Sequence, residues 1–176
     1  MSVDKRDLID RLVLRAPAVG TAMSTGAVRL KLGSPLRRWL IHTQIRRGFN
    51  AMARSDVDLN VLVYEPDTEV WMHGMDGVGV GGCFRGREGV RRLYGEIDDA
   101  FERWSWTLDR LVDGGDRVAV RGNFVGHGRG SGAKTEVTSG GTAMELSSRG
   151  KITRQEWMVE QDAWQQVLEA ARLQDE

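Results

Sequence analysis

Two segments, each a strand pattern that leads into a helix pattern, constrain the fold of this chain most strongly. Residues 64–94 read as a strand, an open glycine loop, and a helix entered through the sequence Phe-Arg-Gly-Arg-Glu at residues 84–88. Residues 150–173 read as a long last strand that turns into a closing helix. Runs of β-branched and aromatic residues favour strands, and apolar residues three and four positions apart favour helices. Both segments therefore indicate a fold that combines a sheet with helices.

The surrounding residues supply the other elements. Glycine-rich or polar turns separate the predicted strands, and helical spacing of apolar residues marks the predicted helices. Helices are predicted at residues 4–14, 34–54, 55–63 and 86–103. Strands are predicted at residues 69–73, 104–112, 117–126, 134–147 and 152–160. This order of helices, strand, helix, meander and closing helix predicts an α+β fold.

In the predicted fold, a curved antiparallel sheet wraps around the N-terminal helices and forms a cone-shaped cup. Residues 34–176 are expected to form this domain. Residues 1–33 are predicted to be an N-terminal helical extension and linker, since residues 16–33 are weakly patterned and contain a proline and three glycines.

Taken together, segments 64–94 and 150–173 resemble the SnoaL-like polyketide-cyclase group of the nuclear transport factor 2-like superfamily. The resemblance covers about residues 36–173 and implies the cup-shaped α+β fold. It does not imply one reaction, because this superfamily contains enzymes, binding proteins and scaffolds.

Composition limits the compartment and the partners. The formal net charge is zero, so no overall field attracts nucleic acid or a membrane surface. The single cysteine, Cys83, excludes an intrachain disulfide and suits a reducing compartment. No apolar run approaches the length of a membrane span. We therefore predict a cytoplasmic protein with neither nucleic-acid binding nor membrane insertion.

No cofactor or metal is predicted. Residues 77–82 satisfy the pattern G-x-G-x-x-G, but no helix follows directly and no βαβ unit contains them. We expect this glycine run to be a loop over the mouth of the cup. The three histidines have no metal-ligand spacing.

The resemblance also shows which acidic groups of the superfamily this chain lacks. The general-base aspartate of ketosteroid isomerases matches Met72, their hydrogen-bond-donor aspartate matches Thr142, and their helix tyrosine matches Gly48. A steroid-isomerase mechanism is therefore not expected.

The acidic residues that epoxide hydrolases and cyclases use are missing from this chain in the same way. The Arg-x-Asp pair of limonene epoxide hydrolases matches Arg121 and Asn123, and their last-strand aspartate matches Trp157. SnoaL-type cyclases use an aspartate near that last position as well. These matches assume that no strand slips by one residue, because a slip would turn every side chain to the other face.

The cup is expected to have apolar walls with a few polar groups, which suits a small hydrophobic ligand. The predicted ligand-binding residues are Val70, Met72, Arg121, Asn123, Thr142, Met144, Gln155, Trp157 and Val159. If Arg121 faces the cup, a carboxylate-bearing ligand is its natural partner. If Arg121 faces outward, it pairs with a protein carboxylate or reaches solvent.

Catalytic residues are not identified by the sequence. The weak candidates are His73 and Asp76, which lie three positions apart beside the glycine loop. If that loop folds over the cup, His73 is placed to act as a base oriented by Asp76. Otherwise both are solvated loop residues.

Three functions remain open at this point. The favoured one is a SnoaL-like domain that binds a small, mostly apolar molecule in the cup. The second is a cofactor-independent cyclase, isomerase or epoxide hydrolase with a non-standard acid or base. The third is a non-catalytic interaction module whose cup is filled by Trp157 and Met144.

Self-association is expected as well. Superfamily members commonly pair through the outer face of the sheet, so we predict a homodimer. Trp104 or Trp106 and Met158 are the residues predicted to form its apolar patch.

Overall fold

Helices and strands follow one another along the chain nearly as predicted, with one added helix and one added strand. The computed structural model describes residues 6–174. Its α-helices are α1 (Leu8–Arg15), α2 (Pro17–Arg29), α3 (Pro35–Met52), α4 (Val57–Asn60), α5 (Gly86–Ala100) and α6 (Trp164–Ala171). Its strands are β1 (Tyr64–His73), β2 (Gly82–Arg85), β3 (Phe101–Asp113), β4 (Arg117–Gly128), β5 (Lys134–Leu146) and β6 (Ile152–Met158). Short 3₁₀ turns occupy Val61–Val63 and Asp76–Val78.

The predicted α+β class and curved sheet are confirmed. The six strands lie in the order β2-β1-β6-β5-β4-β3. Strands β3 to β6 form the predicted antiparallel meander, whereas β1 pairs with β6 in parallel. The parallel pair brings the first and last strands of the sheet together, so residues more than 80 positions apart, such as Met72 and Trp157, become neighbours.

Helix α3 lies against the concave face of the sheet and forms the inner layer. Ser34 caps the helix by accepting a hydrogen bond from the Arg37 backbone, and Pro35 occupies its first turn. Phe49 on this helix packs edge-on against Trp157 at 5.8 Å and stacks on Trp106 at 6.5 Å between ring centroids. These aromatic rings form the floor of the cup.

Helix α6 covers part of the outer face of the sheet. Val167 and Leu168 pack there against Ala119, Ala143 and Met158. The predicted dimer patch is therefore wrong in its residues, because Met158 is buried beneath α6 and Trp106 belongs to the inner core. Trp104 is half-buried, with its ring against Tyr94 and Phe124.

Residues 17–29 are a helix rather than the predicted linker. Pro17 begins α2, as proline often does in a first helical turn. The buried Arg37 side chain donates hydrogen bonds to the carbonyl oxygens of Ala27, Val28 and Leu30 at the end of α2. The last carbonyls of a helix need donors from outside it, and Arg37 supplies such donors to the end of α2 from another element. The sequence pattern missed this because the partner lies outside the local segment.

The glycine loop does not lie over the cup, so that prediction is wrong. Met75 and Val80 anchor the loop in the core, where they are 5% and 1% exposed. The loop then leads into β2, which pairs antiparallel with β1 at the edge of the sheet. Helix α2 borders the cup instead, through Ser24.

Candidate ligand-binding cup

An apolar cavity lies between α3, the concave face of the sheet and α2. We call it the cup cavity; its volume is about 90 Å³. It is lined by Ser24, Ile41, Gln44, Ile45, Gly48, Phe49, Met52, Asn60, Val63, Tyr64, Tyr94, Met144, Leu146, Gly150, Ile152, Gln155 and Trp157. None of these lining residues is ionised at neutral pH, so the cavity provides hydrogen bonds and apolar contact without charge.

A chain of buried hydrogen bonds runs along one wall. The Tyr94 side chain lies beside Tyr64 at one end of this chain. The Tyr64 hydroxyl donates to Gln155 Oε1 at 2.5 Å, and Gln155 Nε2 donates to Thr142 Oγ1 at 3.0 Å. All four side chains are buried. A connected network of this kind holds its members in one orientation, because any rotation leaves a buried polar atom unpaired.

The two phenols of this network remain protonated near neutral pH. Burial raises the pKa of Tyr64 well above its ordinary value, against a smaller opposing effect of the neighbouring Tyr94. Burial raises the pKa of Tyr94 as well, and the adjacent Tyr64 adds to the increase. The wall therefore presents neutral donors and acceptors.

A second cavity adjoins the first beneath the N-terminal helices. We call it the cap cavity; its volume is also about 90 Å³. Ile9 and Val13 of α1 and Pro17 and Thr21 of α2 form one side of it. The two cavities share the lining residues Ser24, Gln44, Gly48, Asn60 and Val63.

The shared wall carries two amide groups without partners. Asn60 Nδ2 and Gln44 Nε2 are buried and have no hydrogen-bond partner among the described residues. Buried polar groups in native proteins are nearly always paired, so each unpaired one requires a reason. Gly48 lies on the same wall, and a Cβ atom built there meets nothing within 4 Å.

Helix α2 is held over this region by the β5–β6 turn. Thr25 Oγ1 donates to the Arg149 carbonyl at 3.2 Å. Gly150 has φ 69°, and a Cβ atom on it lies only 2.5 Å from the Ser24 carbonyl oxygen. Glycine is required here because the turn is left-handed and because it approaches α2 closely.

Seven of the nine predicted ligand-binding residues lie on the inner side of the sheet. Met144, Gln155 and Trp157 line the cup cavity directly. Thr142 belongs to its hydrogen-bonded wall. Met72 and Val159 line a smaller apolar pocket beyond Trp157, and Val70 is fully buried in the core.

The placement of Arg121 and Asn123 in the cup is wrong. Arg121 lies on the outer face, where its guanidinium is 2.6 Å from Asp109 Oδ2 and 5.7 Å from the centre of the Trp164 ring. Asn123 Oδ1 accepts a hydrogen bond from the Ser139 backbone at 3.1 Å, beside an irregularity in the β4–β5 pairing. Both residues therefore stabilise the outer side of the meander.

The catalytic candidates His73 and Asp76 are not brought into the cup. The His73 ring stacks on Trp71 with 6.4 Å between ring centroids, and its Nε2 lies 4.0 Å from Glu156 Oε2. Asp76 is exposed at the start of the glycine loop. Neither residue lines the cup cavity.

Sequence reasoning missed the most distinctive polar residues of the site. Tyr64 and Tyr94 are the only two tyrosines of the chain, and both lie in the buried network. Their scarcity was an available signal, since a buried tyrosine needs a hydrogen-bond partner. Asn60 and Gln44 carried no such signal, because polar residues on helices are usually solvated.

Residues 6–174 contain no group of three or more His, Cys, Asp or Glu side chains that could hold a metal ion. Within the same range, no helix is both long enough and apolar enough to cross a membrane. The cytoplasmic location stays a prediction from the sequence.

This architecture, a curved sheet wrapped on helices around an apolar cavity, defines a cup-shaped protein of the nuclear transport factor 2-like fold. The chain belongs to the SnoaL-like domain family, whose pattern matches residues 45–155. No curated protein matches the sequence. Helices α1 and α2, which form the cap cavity, precede the matched range.

Solved structures share this fold. TerC, co-crystallised with polyporic acid, is 20% identical with a TM-score of 0.59 over 72% of this chain and 96% of TerC. An NTF2-like protein of unknown function from Burkholderia pseudomallei is 18% identical, with a TM-score of 0.61 over 75% and 95% of the two chains. SalBIII, an epoxide hydrolase/cyclase-like enzyme of pyran ring formation in the polyether salinomycin, is 17% identical, with a TM-score of 0.55 over 66% and 88%. At these sequence identities, the similarity shows a shared fold.

Proposed function

We propose that this SnoaL-like domain binds a small, mostly apolar molecule in the cup cavity. One observation carries the proposal: an apolar cavity persists between α3 and the sheet, and its few polar groups are uncharged, with Tyr64 and Gln155 fixed by hydrogen bonds. Apolar walls with a few convergent polar groups are typical of small-molecule sites. The similar TerC was co-crystallised with polyporic acid, which supports a comparable use of the fold here.

The proposed ligand is uncharged where it contacts the cup. The carboxylate-bearing option depended on Arg121, which is paired with Asp109 on the opposite face. No residue that lines the cup cavity has a cationic side chain. A buried carboxylate without a cation is strongly unfavourable, so a neutral ligand fits better.

Binding is favoured over the two alternatives. The enzyme hypothesis relied on His73 or Asp76, and neither lines the cavity. The interaction-module hypothesis required Trp157 and Met144 to fill the cup, whereas they line a remaining space. The tightly packed part of the cup is its aromatic floor, where Trp106 and Trp157 meet at 5.1 Å between ring centroids.

Gly48 provides the sharpest test. A side chain introduced there enters the cavities, because a Cβ atom meets nothing within 4 Å. We expect Gly48→Leu to abolish binding of α-methylstyrene, a small apolar probe, as measured by NMR titration. The folded protein should not lose stability, since leucine favours a helix by roughly 0.5–1 kcal/mol over glycine.

Gly95→Leu is the matched control. Gly95 also lies within a helix with open space around it, but it lines neither cavity. We expect this variant to bind the probe as the wild type does. The proposal fails if the wild type does not bind the probe, or if both leucine variants bind it equally well.

A further inference from the structure

From the two unpaired amides we infer that the ligand carries a carbonyl oxygen, and that Asn60 Nδ2 and Gln44 Nε2 donate hydrogen bonds to it at the junction of the cup and cap cavities. This inference rests on the proposed function and specifies the chemical class of its ligand. It also assigns to the ligand a position that extends beneath α1 and α2.

Asn60 provides the stronger half of the argument. The residue is 3% exposed, yet its Nδ2 group has no partner in the described protein. Asn60 ends α4 and is followed directly by a 3₁₀ turn, so its position is set by two consecutive elements. A buried amide that donates to nothing is unfavourable by about 1–3 kcal/mol. Such a group is retained most readily where a ligand or solvent accepts its hydrogen bonds.

Gln44 supplies a second donor from a different helix. Its Nε2 atom is buried without a partner, and the residue lines both cavities from α3. Two donors from separate elements on one wall can both point at a single acceptor. A carbonyl oxygen has two lone pairs and accepts both hydrogen bonds.

Tyr64, Gln155 and Thr142 on the polar wall of the cup are paired with one another, whereas the two amides have no partner. Gln155 is also a buried amide, but it accepts from Tyr64 and donates to Thr142. Within the same cavity, Gln155 therefore stabilises the fold through its hydrogen bonds, whereas Asn60 is available to bind a ligand.

The shape of the site limits the rest of the ligand. The amides lie where the two cavities adjoin, and apolar side chains dominate on either side, such as Ile45 and Trp157 in the cup and Val13 in the cap. A ketone, ester or amide with apolar groups on both sides of its carbonyl satisfies this arrangement. The charged groups of the region belong to the cap cavity, where Asp10 is paired with Arg47 and Arg54.

The experiment compares probes of similar shape. Acetophenone carries a carbonyl where α-methylstyrene carries a methylene group. We expect acetophenone to bind the wild-type protein about tenfold more tightly, which corresponds to roughly 1.4 kcal/mol or one to two hydrogen bonds. The side-chain amide NMR signals of Asn60 and Gln44 should move downfield with acetophenone, as hydrogen-bonded N–H groups do, and not with α-methylstyrene.

Two variants connect this preference to the amides. Asn60→Leu and Gln44→Met keep similar side-chain sizes and remove the donors, so each should reduce the acetophenone preference severalfold while α-methylstyrene still binds. Asn50→Leu on the exposed side of α3 and Gln166→Met on α6 are matched controls, since both residues are exposed. These controls should keep the full preference.

The outcomes separate the two proposals. If neither probe binds, the proposed function fails and this inference fails with it. If both probes bind equally, or if both donor variants keep the acetophenone preference, the carbonyl inference is wrong and the apolar-ligand proposal stands. Tighter binding of benzoate than of acetophenone overturns the neutral carbonyl and points to Lys151, which lines the cap cavity.

Discussion

Arg37 and Asp113 lie 76 positions apart and form a two-pronged ion pair, with distances of 2.7 Å from Nε to Oδ2 and 2.9 Å from Nη2 to Oδ1. The guanidinium also donates to carbonyl groups at the end of α2 and to the Gly115 carbonyl in the β3–β4 turn. One buried side chain thus connects α2, α3 and the hairpin. Because α2 lines the cap cavity and borders the cup, this contact also supports the site.

Removing the Asp113 carboxylate should weaken the contact that Arg37 makes between α2, α3 and the hairpin. Asp113→Ala leaves the buried Arg37 without its anion, and loss of one partner of a buried pair costs about 3 kcal/mol. We expect the free energy of unfolding, measured with urea, to fall by about that amount. Hydrogen exchange should increase first in α2.

Asp109→Ala is the control for this prediction. Asp109 pairs with Arg121 on the outer face, and its side chain is 50% exposed. An exposed pair contributes less than about 1 kcal/mol. Equal losses in the two variants would contradict the role assigned to Arg37.

Replacing the buried amides of Gln155 and Asn60 should change the stability of the protein in different ways. Gln155→Leu leaves the Tyr64 hydroxyl without its acceptor and Thr142 without its donor, so we expect a loss of about 2 kcal/mol. Asn60→Leu removes an amide that has no partner, so stability should be unchanged or higher. Thermal unfolding of the two variants tests this contrast, and similar losses would show that Asn60 is structurally paired after all.

Alkaline pH should destabilise the protein through its tyrosines. Burial raises the pKa of both Tyr64 and Tyr94 in the folded state. Above about pH 10 the unfolded chain loses phenol protons while the folded chain retains them, so the unfolded state binds fewer protons and stability falls as pH rises. The expected slope is about 1.4 kcal/mol per pH unit for each tyrosine. Below that pH this effect is absent.

Tyr94→Phe isolates the effect from other groups that titrate at high pH. Removing one of the two tyrosines should halve the tyrosine-dependent slope in urea unfolding measured from pH 8 to about pH 11. A slope identical to that of the wild type would show that Tyr94 titrates equally in the folded and unfolded states.

Arg121 should be dispensable for ligand binding. Its guanidinium lies against Asp109 and Trp164 on the outer face, away from the cup cavity. Arg121→Ala should therefore leave the affinity for acetophenone unchanged while reducing stability by less than about 1 kcal/mol. Calorimetric titration tests this, and a clear loss of affinity would return Arg121 to the site.

The homodimer predicted from the resemblance remains a proposal. The residues chosen for its patch are occupied elsewhere, since Met158 lies under α6 and Trp106 lies in the inner core. Light scattering after size-exclusion chromatography distinguishes a dimer of about twice 19.6 kDa from a monomer of 19.6 kDa. A dimer would have to use the outer surface that α6 leaves open or another face.

Local patterns in the sequence determined most of the elements, including the meander from β3 to β6 and the capped start of α3. The resemblance predicted Met144, Gln155 and Trp157 on the inner face of the sheet, and in the structure all three line the cup cavity. The same reasoning failed on β4, where Arg121 was matched to a relative's inward-facing arginine. A one-residue difference in register reverses the face of every side chain on a strand.

Only the tertiary structure decided the rest of the site. Helix α2 is weakly patterned along the chain and is ordered by Arg37, which reaches it from α3. The network of Tyr64, Tyr94 and Gln155 exists because the parallel pairing of β1 and β6 and the packing of α5 bring distant polar groups together. The unpaired state of Asn60 and Gln44 is visible only in the folded chain, since pairing depends on what surrounds a group and not on its neighbours in sequence.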